Sequence, residues 1–223
     1  MVFDFHTHST FSDGSLSPIE LIRRATVKAY RAISITDHCG SGSLTRVIAE
    51  TKEDCALAQA HWGILALAGV ELTHLPPASI DETARRAKTL GAMIVVVHGE
   101  TLTEPVEPGT NSSAVRSRYV DILAHPGLLS DEEARLAAEN GVFLEISARR
   151  GHCLTNGHIA GVALRAGAGL VVCSDAHAPE DLLTAEWARL VALGAGMNES
   201  DMRAALQTSP RALLRKIGLP VPE

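Results

Sequence analysis

The chain has 223 residues, of which 46% are hydrophobic and 21% charged, and its formal net charge is −6. This composition is typical of a globular protein with a sizeable core, and the acidic balance argues against a protein that binds nucleic acid by neutralising phosphates. The sequence shows no signal peptide, no membrane-length apolar segment and no CxxC pair, so we expect a cytoplasmic protein with reduced thiols.

Seven short apolar runs along the chain are predicted to be β-strands. The runs are continuous in hydrophobicity, which is typical of parallel strands that are buried on both faces. They cover residues 2–6, 32–38, 64–72, 93–98, 120–125, 142–147 and 170–175.

Amphipathic segments between these runs are predicted to be helices. The first begins after Ser17, a predicted N-cap, with Pro18 at the first helical position and Glu20 as the capping-box partner. Other helices are predicted over residues 79–91, 130–141, 180–194 and 199–218, the last interrupted by Pro210. Residues 104–113 form the one long predicted loop, which is either a lid or a solvated connection.

The strand–helix alternation continues from one end of the chain to the other without a break in composition. It predicts one α/β domain over residues 1–223, built on a parallel sheet that closes into a barrel or stays open. In either arrangement the active site lies at the carboxyl ends of the strands, where the connecting loops meet.

Every predicted strand carries a side chain able to bind metal at or near this same end. A lone histidine at a strand end is more often structural, but seven such positions in one register favour a metal site. Buried acids and imidazoles are costly unless they are paired or bound to metal. Imidazole and carboxylate ligands suit zinc, manganese or iron at a catalytic site. The residues are His6, His8, Asp13, Asp37, His38, Glu71, His98, His125, Glu145, Asp175 and His177.

In chain order, the motifs HTHSTFSDG, ITDH, GVE, VVVH, LAHPG and SDAH resemble those of the polymerase-and-histidinol-phosphatase (PHP) family of metal-dependent phosphoesterases. The resemblance extends from residue 3 to about residue 180. It implies a distorted (β/α)7 TIM-like barrel that holds two or three divalent metal ions.

The resemblance also implies a ligand set for each ion. The first ion would be held by His6, His8, Glu71 and Asp175. Glu71 would bridge to a second ion bound by His98 and His125, and a third would be bound by Asp13, His38 and His177. Family members carry either histidine or aspartate at the position of Asp13.

The expected chemistry is hydrolysis by a hydroxide that a metal-bound water provides near neutral pH. Glu71 and Asp175 would act by holding the ions, and either His177 or a metal-bound water would protonate the leaving oxygen. Arg149 and Arg150 are predicted to bind the phosphate, with two solvated loop arginines as the alternative. Glu145 would either bind a cationic substrate group or orient a histidine.

Three functions follow from these residues. The favoured one is hydrolysis of a small phosphomonoester, for which histidinol phosphate is the leading family substrate. The others are a phosphodiesterase or nuclease of the same chemistry, and a non-catalytic metal-binding module. The acidic charge weighs against the nuclease, and we expect a small phosphorylated metabolite as partner, without nucleic acid or membrane. The chain is shorter than typical histidinol phosphatases, and residues 145–158 do not match them.

Overall fold

The predicted apolar runs form one parallel sheet that curls into a barrel. This computed structural model describes residues 1–219 and 221. Neighbouring strands pair in the order β1-β2-β4-β5-β6-β7-β8, and the short strand β3 pairs with β4. The strands are β1 (Val2–Asp4), β2 (Tyr30–Ile35), β3 (His38–Cys39), β4 (Leu65–Leu72), β5 (Ile94–His98), β6 (Ile122–Ala124), β7 (Phe143–Ser147) and β8 (Leu170–Cys173). The predicted distorted (β/α)7 TIM-like barrel is therefore confirmed, with one additional two-residue strand.

The barrel is nearly closed by contacts between its first and last strands. Thr7 and Ala176 form an isolated parallel bridge just beyond β1 and β8. On either side of it, the His8 amide donates to the Ala176 carbonyl (2.8 Å) and the Asp175 amide donates to the His6 carbonyl (2.9 Å). We call this contact the seam.

Helices cover the outside of the barrel between the strands. None of the described helices has the length and apolarity of a membrane-spanning segment. The helices are α1 (Pro18–Val27), α2 (Leu44–Trp62), α3 (Ile80–Leu90), α4 (Thr110–Arg116), α5 (Asp131–Asn140), α6 (Asn156–Ala166), α7 (Ala185–Gly194), α8 (Glu199–Arg203) and α9 (Ser209–Lys216).

The predicted N-cap of α1 is confirmed, but Glu20 does not complete the predicted capping box, because its carboxylate accepts from the Arg24 side chain. The Ser17 hydroxyl accepts from the Glu20 amide at the start of α1, and Ser130 forms a complete capping box with Glu133 at the start of α5. Gly141 ends α5 in the left-handed conformation that glycine tolerates best.

Four predicted boundaries were wrong. The run 32–38 divides into β2 and β3, because β2 ends at Ile35 and the Thr36 amide donates instead to the Thr7 carbonyl. The loop predicted over 104–113 already contains α4 from Thr110, and the helix predicted from residue 180 begins only at Ala185, where Thr184 caps it. The last helix is interrupted before Pro210, by a π-helical turn over residues 204–208. Proline lacks an amide hydrogen and clashes with the preceding turn, which accounts for this widening.

Two apolar clusters fill the space on either side of the sheet. The larger lies between sheet and helices and consists mainly of Ala, Val, Leu and Ile. The smaller contains residues from all seven strands of the wall and therefore lies inside the barrel. Leu213 and Leu214 of α9 belong to it, and the Lys216 ammonium donates to the carbonyls of Val120 and Gly141. Because these two carbonyls precede β6 and β7, α9 covers the amino end of the barrel, and the carboxyl end is left for the site.

Candidate metal centre

His6 and His8 begin the site because the extended chain beyond β1 turns both side chains toward the barrel axis. Period-two alternation puts them on one side of the backbone, and the bridge at Thr7 fixes that direction. Both side chains are buried, and their Nε2 atoms lie 3.0 Å apart.

Two carboxylates complete this first cluster. Glu71, at the end of β4, places Oε1 3.3 Å from His6 Nε2. Asp175, which follows β8, places Oδ1 3.2 Å from His8 Nε2 and 3.8 Å from His6 Nε2. The four side chains assigned to the first ion by resemblance therefore converge on one small volume.

The hydrogen bonding of these imidazoles fits a cation. Glu145 Oε2 accepts from His6 Nδ1 at 2.7 Å, so the lone pair of a neutral His6 is on Nε2. That lone pair faces the Nε2 atom of His8 and two carboxylates. A metal ion shared by these atoms is a better partner for them than one imidazole is for the other.

Several buried polar atoms in the site are left without a hydrogen-bond partner among the described residues. A buried polar atom without a partner is costly, and such atoms are rare in folded proteins. One of them, Glu71 Oε1, lies 3.3 Å from His6 Nε2 and 3.6 Å from His125 Nε2, and together with the donor chemistry it shows that the residues present fit a bound divalent cation. The atoms are His8 Nδ1, Glu71 Oε1, His125 Nδ1 and Glu145 Oε1.

A second cluster forms where Glu71 meets His125, the residue after β6. His125 Nε2 lies 3.6 Å from Glu71 Oε1 and 3.7 Å from Asp175 Oδ2. His98, predicted for the same ion, contacts the His125 ring edge-on at 4.5 Å between centroids. Its Nε2 lies 3.6 Å from Glu104 Oε2, a residue that the sequence analysis did not select.

A third cluster lies closer to solvent and contains His8, Asp13, His38 and His177. Asp13 Oδ1 is 3.2 Å from His177 Nε2 and 3.6 Å from His38 Nε2. Because β3 pairs with β4 in register, His38 lies beside Glu71, and its Nδ1 is 2.6 Å from Glu71 Oε2. Glu71 thus contacts all three clusters, as a bridging carboxylate would.

Asp37 holds the loop that carries Asp13. Its buried carboxylate accepts hydrogen bonds from the amide and hydroxyl of Ser9 and from the amide and hydroxyl of Ser12. These bonds position the loop over the strand ends, so Asp37 supports the site without joining any metal-capable group of the described residues.

Burial and mutual charge shift the pKa values within the first cluster in opposite directions. Burial opposes a charge on His6, but Glu145, Glu71 and Asp175 outweigh it and raise the pKa of His6 well above its ordinary value. Burial also opposes the charge on Glu71, but His6 and His38 lower the pKa of this carboxyl. Burial, with the neighbouring acids, raises the pKa of Asp175. These shifts show that the acids of the cluster need a positive charge beside them, which a proton on His6 or a bound cation would supply.

Three pKa values are shifted in the third cluster, and burial lowers that of His8 well below its ordinary value. Burial disfavours the charged form of His38, yet Glu71 and Asp13 raise its pKa to about 9. A hydrogen bond with His177 lowers the pKa of Asp13 to about 2. In the metal-free protein, protons on His6 and His38 supply the positive charge beside these acids.

The three predicted substrate-binding residues, Glu145, Arg149 and Arg150, differ in burial and in their contacts. Glu145 is fully buried behind His6, which favours its alternative role of orienting a histidine over contact with a substrate. Arg149 Nη1 lies 2.7 Å from His177 Nδ1 and donates to the Asp175 carbonyl at 3.2 Å. Arg150 is exposed on the same loop. Of the two arginines, the structure therefore brings Arg149 into the site.

Two of the candidate ligands have unusual backbone conformations. The φ angle is +29° at His125 and +52° at Asp175, a region that side-chain-bearing residues rarely adopt. His125 directly follows β6, and Asp175 lies two residues beyond the end of β8. Such strain is common at functional sites, where surrounding structure holds the residue in place.

His152 is a buried site residue that the sequence analysis did not select. Its ring lies 4.2 Å from that of His125, and burial lowers its pKa to about 4. The only sequence signal was its place in the segment after the sixth predicted strand, where loops of a parallel barrel enter the site.

The fold and these clusters define a class of protein: a parallel α/β barrel with a histidine and carboxylate centre that can bind several metal ions. A family model for the PHP domain matches residues 4–122, slightly more than half of the chain. The chain belongs to the PHP domain family.

Relatives extend over most of the chain. The uncharacterized protein MJ1295 of Methanocaldococcus jannaschii is 49% identical over 97% of this chain and 100% of its own length. A "probable phosphatase" of Thermoanaerobacter sp. is 31% identical over 89% of this chain and 88% of its own. The DNA polymerase/3′-5′ exonuclease PolX of Bacillus subtilis is 29% identical over 78% of this chain but only 34% of its own.

Among solved structures, a candidate histidinol phosphatase, HisK of Listeria monocytogenes, has a TM-score of 0.59. It covers 80% of this chain and 96% of its own, with 12% identity. At that identity the likeness supports the barrel fold alone.

Proposed function

We propose that this chain is a metal-dependent hydrolase that cleaves small phosphomonoesters, with His6, His8, Asp13, His38, Glu71, His98, His125, Asp175 and His177 as the metal ligands. The observation that carries the proposal is the position of Glu71, which contacts all three clusters of donor atoms at the carboxyl end of the barrel. Arg149 lies beside this centre and supplies a donor for an anionic substrate.

Bound divalent ions supply Lewis acidity, which lowers the pKa of water and neutralises charge on the phosphoryl oxygens. The chain's residues hold and surround them. Glu71 and Asp175 provide the buried negative charge, and Glu145 fixes the His6 ring so that Nε2 points into the centre. Asp37 fixes the loop of Asp13.

Arg149 is the proposed phosphate-binding residue. Its side chain is 31% exposed, so a guanidinium donor is accessible at the mouth of the site. When His177 Nδ1 donates to the Asp175 carbonyl, 3.0 Å away, the guanidinium is released from His177. It can then grip two phosphate oxygens. The proton donor to the leaving oxygen is either His177, in a state where its Nε2 carries a proton instead of binding an ion, or a water bound to metal.

The choice of a small monoester depends on charge. The chain carries a net charge of −6, which repels a polyanion such as DNA or RNA. Relatives include both a protein named as a phosphatase and an exonuclease, so the nuclease remains the alternative. Histidinol phosphate is the first substrate to test, and the two or three ions would be zinc, manganese or iron in a cytoplasmic protein.

One assay separates these activities. Purified protein loaded with Mn²⁺, Zn²⁺ or Fe²⁺ is given histidinol phosphate, a nucleoside monophosphate and a short DNA strand under one metal condition. We expect phosphate release from a monoester to exceed DNA cleavage. Preference for the nucleotide would change only the substrate, whereas faster cleavage of DNA would replace the monoesterase with the nuclease. Metal binding without any hydrolysis would leave the non-catalytic module.

A further inference from the structure

His152 is a buried imidazole to which the family resemblance assigns no role. It lies on the loop after β7, at the start of a single 3₁₀ turn, and is only 7% exposed. His125, His152 and Asp175 each offer a donor atom, and these three atoms lie within 4.8 Å of one another. The loop after β7 therefore places a nitrogen of His152 beside the donor atoms of His125, after β6, and Asp175, after β8.

We propose that His152 is an additional metal ligand. It would bind, together with His125 and Asp175, one divalent ion, and it is not among the ligands that the family resemblance implies. The inference rests on the proposed function in one respect, because it requires that the centre binds a divalent cation. It does not depend on which phosphate ester is cleaved.

The hydrogen bonding of His152 leaves the correct atom free. Nδ1 lies 3.0 Å from the hydroxyl oxygen of Thr101, which is itself buried. In the tautomer whose Nδ1–H donates to that oxygen, Nε2 carries the lone pair. Metal-binding histidines usually donate their other ring N–H to an oxygen in this way, which fixes the orientation of the ring.

The loop after β5 holds His152 from the outer side. Gly151, at φ +92°, approaches Thr103 so closely that an added Cβ would lie 3.3 Å from the threonine methyl carbon. Glu104 Oε2 lies 3.6 Å from His98 Nε2 and 4.0 Å from His152 Nε2. The Glu104 carboxylate thus faces the Nε2 atoms of both imidazoles, and the loops after β5 and β7 meet there.

The competing explanation is that His152 only packs against His125. Packing requires ring volume, whereas ligation requires the Nε2 lone pair and the tautomer set by Thr101. Removal of the nitrogen or of the threonine hydroxyl therefore separates the two roles through metal binding.

The test measures Co²⁺ binding to the full chain after removal of metals with a chelator. Calorimetry gives stoichiometry and affinity, and visible absorption reports the ligand field, so neither readout needs a substrate. The variants are His152→Ala, His152→Gln and Thr101→Val. His158→Ala is the matched control, because this exposed histidine of α6 donates only to the Leu129 carbonyl.

We expect His152→Ala and His152→Gln to weaken one bound Co²⁺ by roughly tenfold to a hundredfold or more and to change its absorption spectrum. Thr101→Val should shift both readouts in the same direction by less, and His158→Ala should match the wild type. Circular dichroism of the metal-free proteins checks that each variant folds.

Unchanged affinity, stoichiometry and spectrum in His152→Gln and Thr101→Val would overturn the inference and leave the proposed function standing. A wild-type chain that binds no divalent ion would overturn both. Weakened Co²⁺ binding in a chain that hydrolyses no phosphate ester would support this inference while the proposed activity fails.

Discussion

Asp121 and Glu71 are buried carboxylates at opposite ends of the barrel. Asp121, just before β6, accepts from the Val95 amide at 2.8 Å and from the Lys88 ammonium, with Lys216 Nζ 3.5 Å away. Glu71, at the end of β4, faces imidazoles, and one of its oxygens has no hydrogen-bond partner among the described residues.

The two acids differ in whether the described residues satisfy them. Asp121 has partners that suit a structural role, whereas Glu71 has the surroundings of a ligand-binding group. The folded chain itself provides permanent cations and an amide for Asp121. For Glu71 it provides histidines, which neutralise the acid only when protonated and which bind metal only when neutral. The protonation of the groups around Glu71 therefore depends on whether a metal ion is bound, whereas the ion pairs around Asp121 do not depend on a ligand.

The largest effect that this comparison predicts is at Glu71. Glu71→Gln keeps the shape but removes the charge that all three clusters share, so we expect kcat/KM for the best phosphomonoester to fall by at least about 10²–10³-fold. Steady-state kinetics at saturating metal, with bound metal measured by elemental analysis, provide the check. A variant that keeps both its metal content and its rate would show that Glu71 is not the shared ligand.

The second prediction concerns pH. His38 has a pKa of about 9 in the metal-free protein against 6.5 for a free histidine, so it holds a proton that metal binding must displace. Between pH 9 and pH 7 this proton weakens metal affinity by roughly tenfold per pH unit. Isothermal titration calorimetry in buffers of different ionisation enthalpy measures the protons released.

The stability of the metal-free protein should follow the opposite trend. A raised histidine pKa stabilises the folded state below the unfolded pKa of 6.5, and this contribution disappears as pH rises through about 9. The melting temperature measured in the presence of a chelator should therefore fall as pH rises over this range. In His38→Gln the melting temperature should depend less on pH. An equal slope in the variant would assign the effect to other groups.

The third prediction sharpens the boundary of the carboxyl-end site. Arg149 contacts His177 and Asp175, whereas Arg150 is exposed on the same loop, so Arg149→Ala should raise KM or lower kcat by roughly 10–100-fold. Arg150→Ala is the matched control and should change either constant by less than about threefold. Equal losses in the two variants would place the phosphate outside the position inferred from Arg149.

The smallest effect on activity is predicted at the amino end. Asp121→Ala leaves the Val95 amide and the Lys88 ammonium without their acceptor, which should reduce the free energy of unfolding by about 2–3 kcal/mol. For a chain of this size the melting temperature would fall by roughly 5–10 °C. The rate per folded molecule and the metal content should stay at wild-type values. A loss of metal would show that the two ends are coupled.

The sequence predicted the parts of the fold that depend on local pattern. Continuous apolar runs located all seven strands of the wall, and the polar residues at their ends located the site, because parallel strands place those ends together. The break after β2 was missed because Asp37 is held by Ser9 and Ser12 from another segment. His152 was missed because its burial depends on the packing of two loops, which no periodicity reports.

The burial of Glu145 illustrates the same limit. The sequence left open whether this acid binds a substrate or orients a histidine. The hydrophobic pattern shows that the side chain points into the barrel, but it does not show which group the side chain contacts there. The 2.7 Å contact with His6 depends on the positions of β1 and β7 relative to each other, which only the closed barrel fixes.

The seam joins residues about 170 positions apart in the chain. His6 and His8 lie just beyond the first strand and Asp175 just beyond the last, so the first cluster does not exist until the barrel has closed. Closing so long a loop is entropically costly, and folds rich in such non-local contacts fold slowly. During synthesis the chain must therefore be made past residue 175 before the side chains of the first cluster can come together, whereas Glu71 and His125 of the second cluster are made earlier.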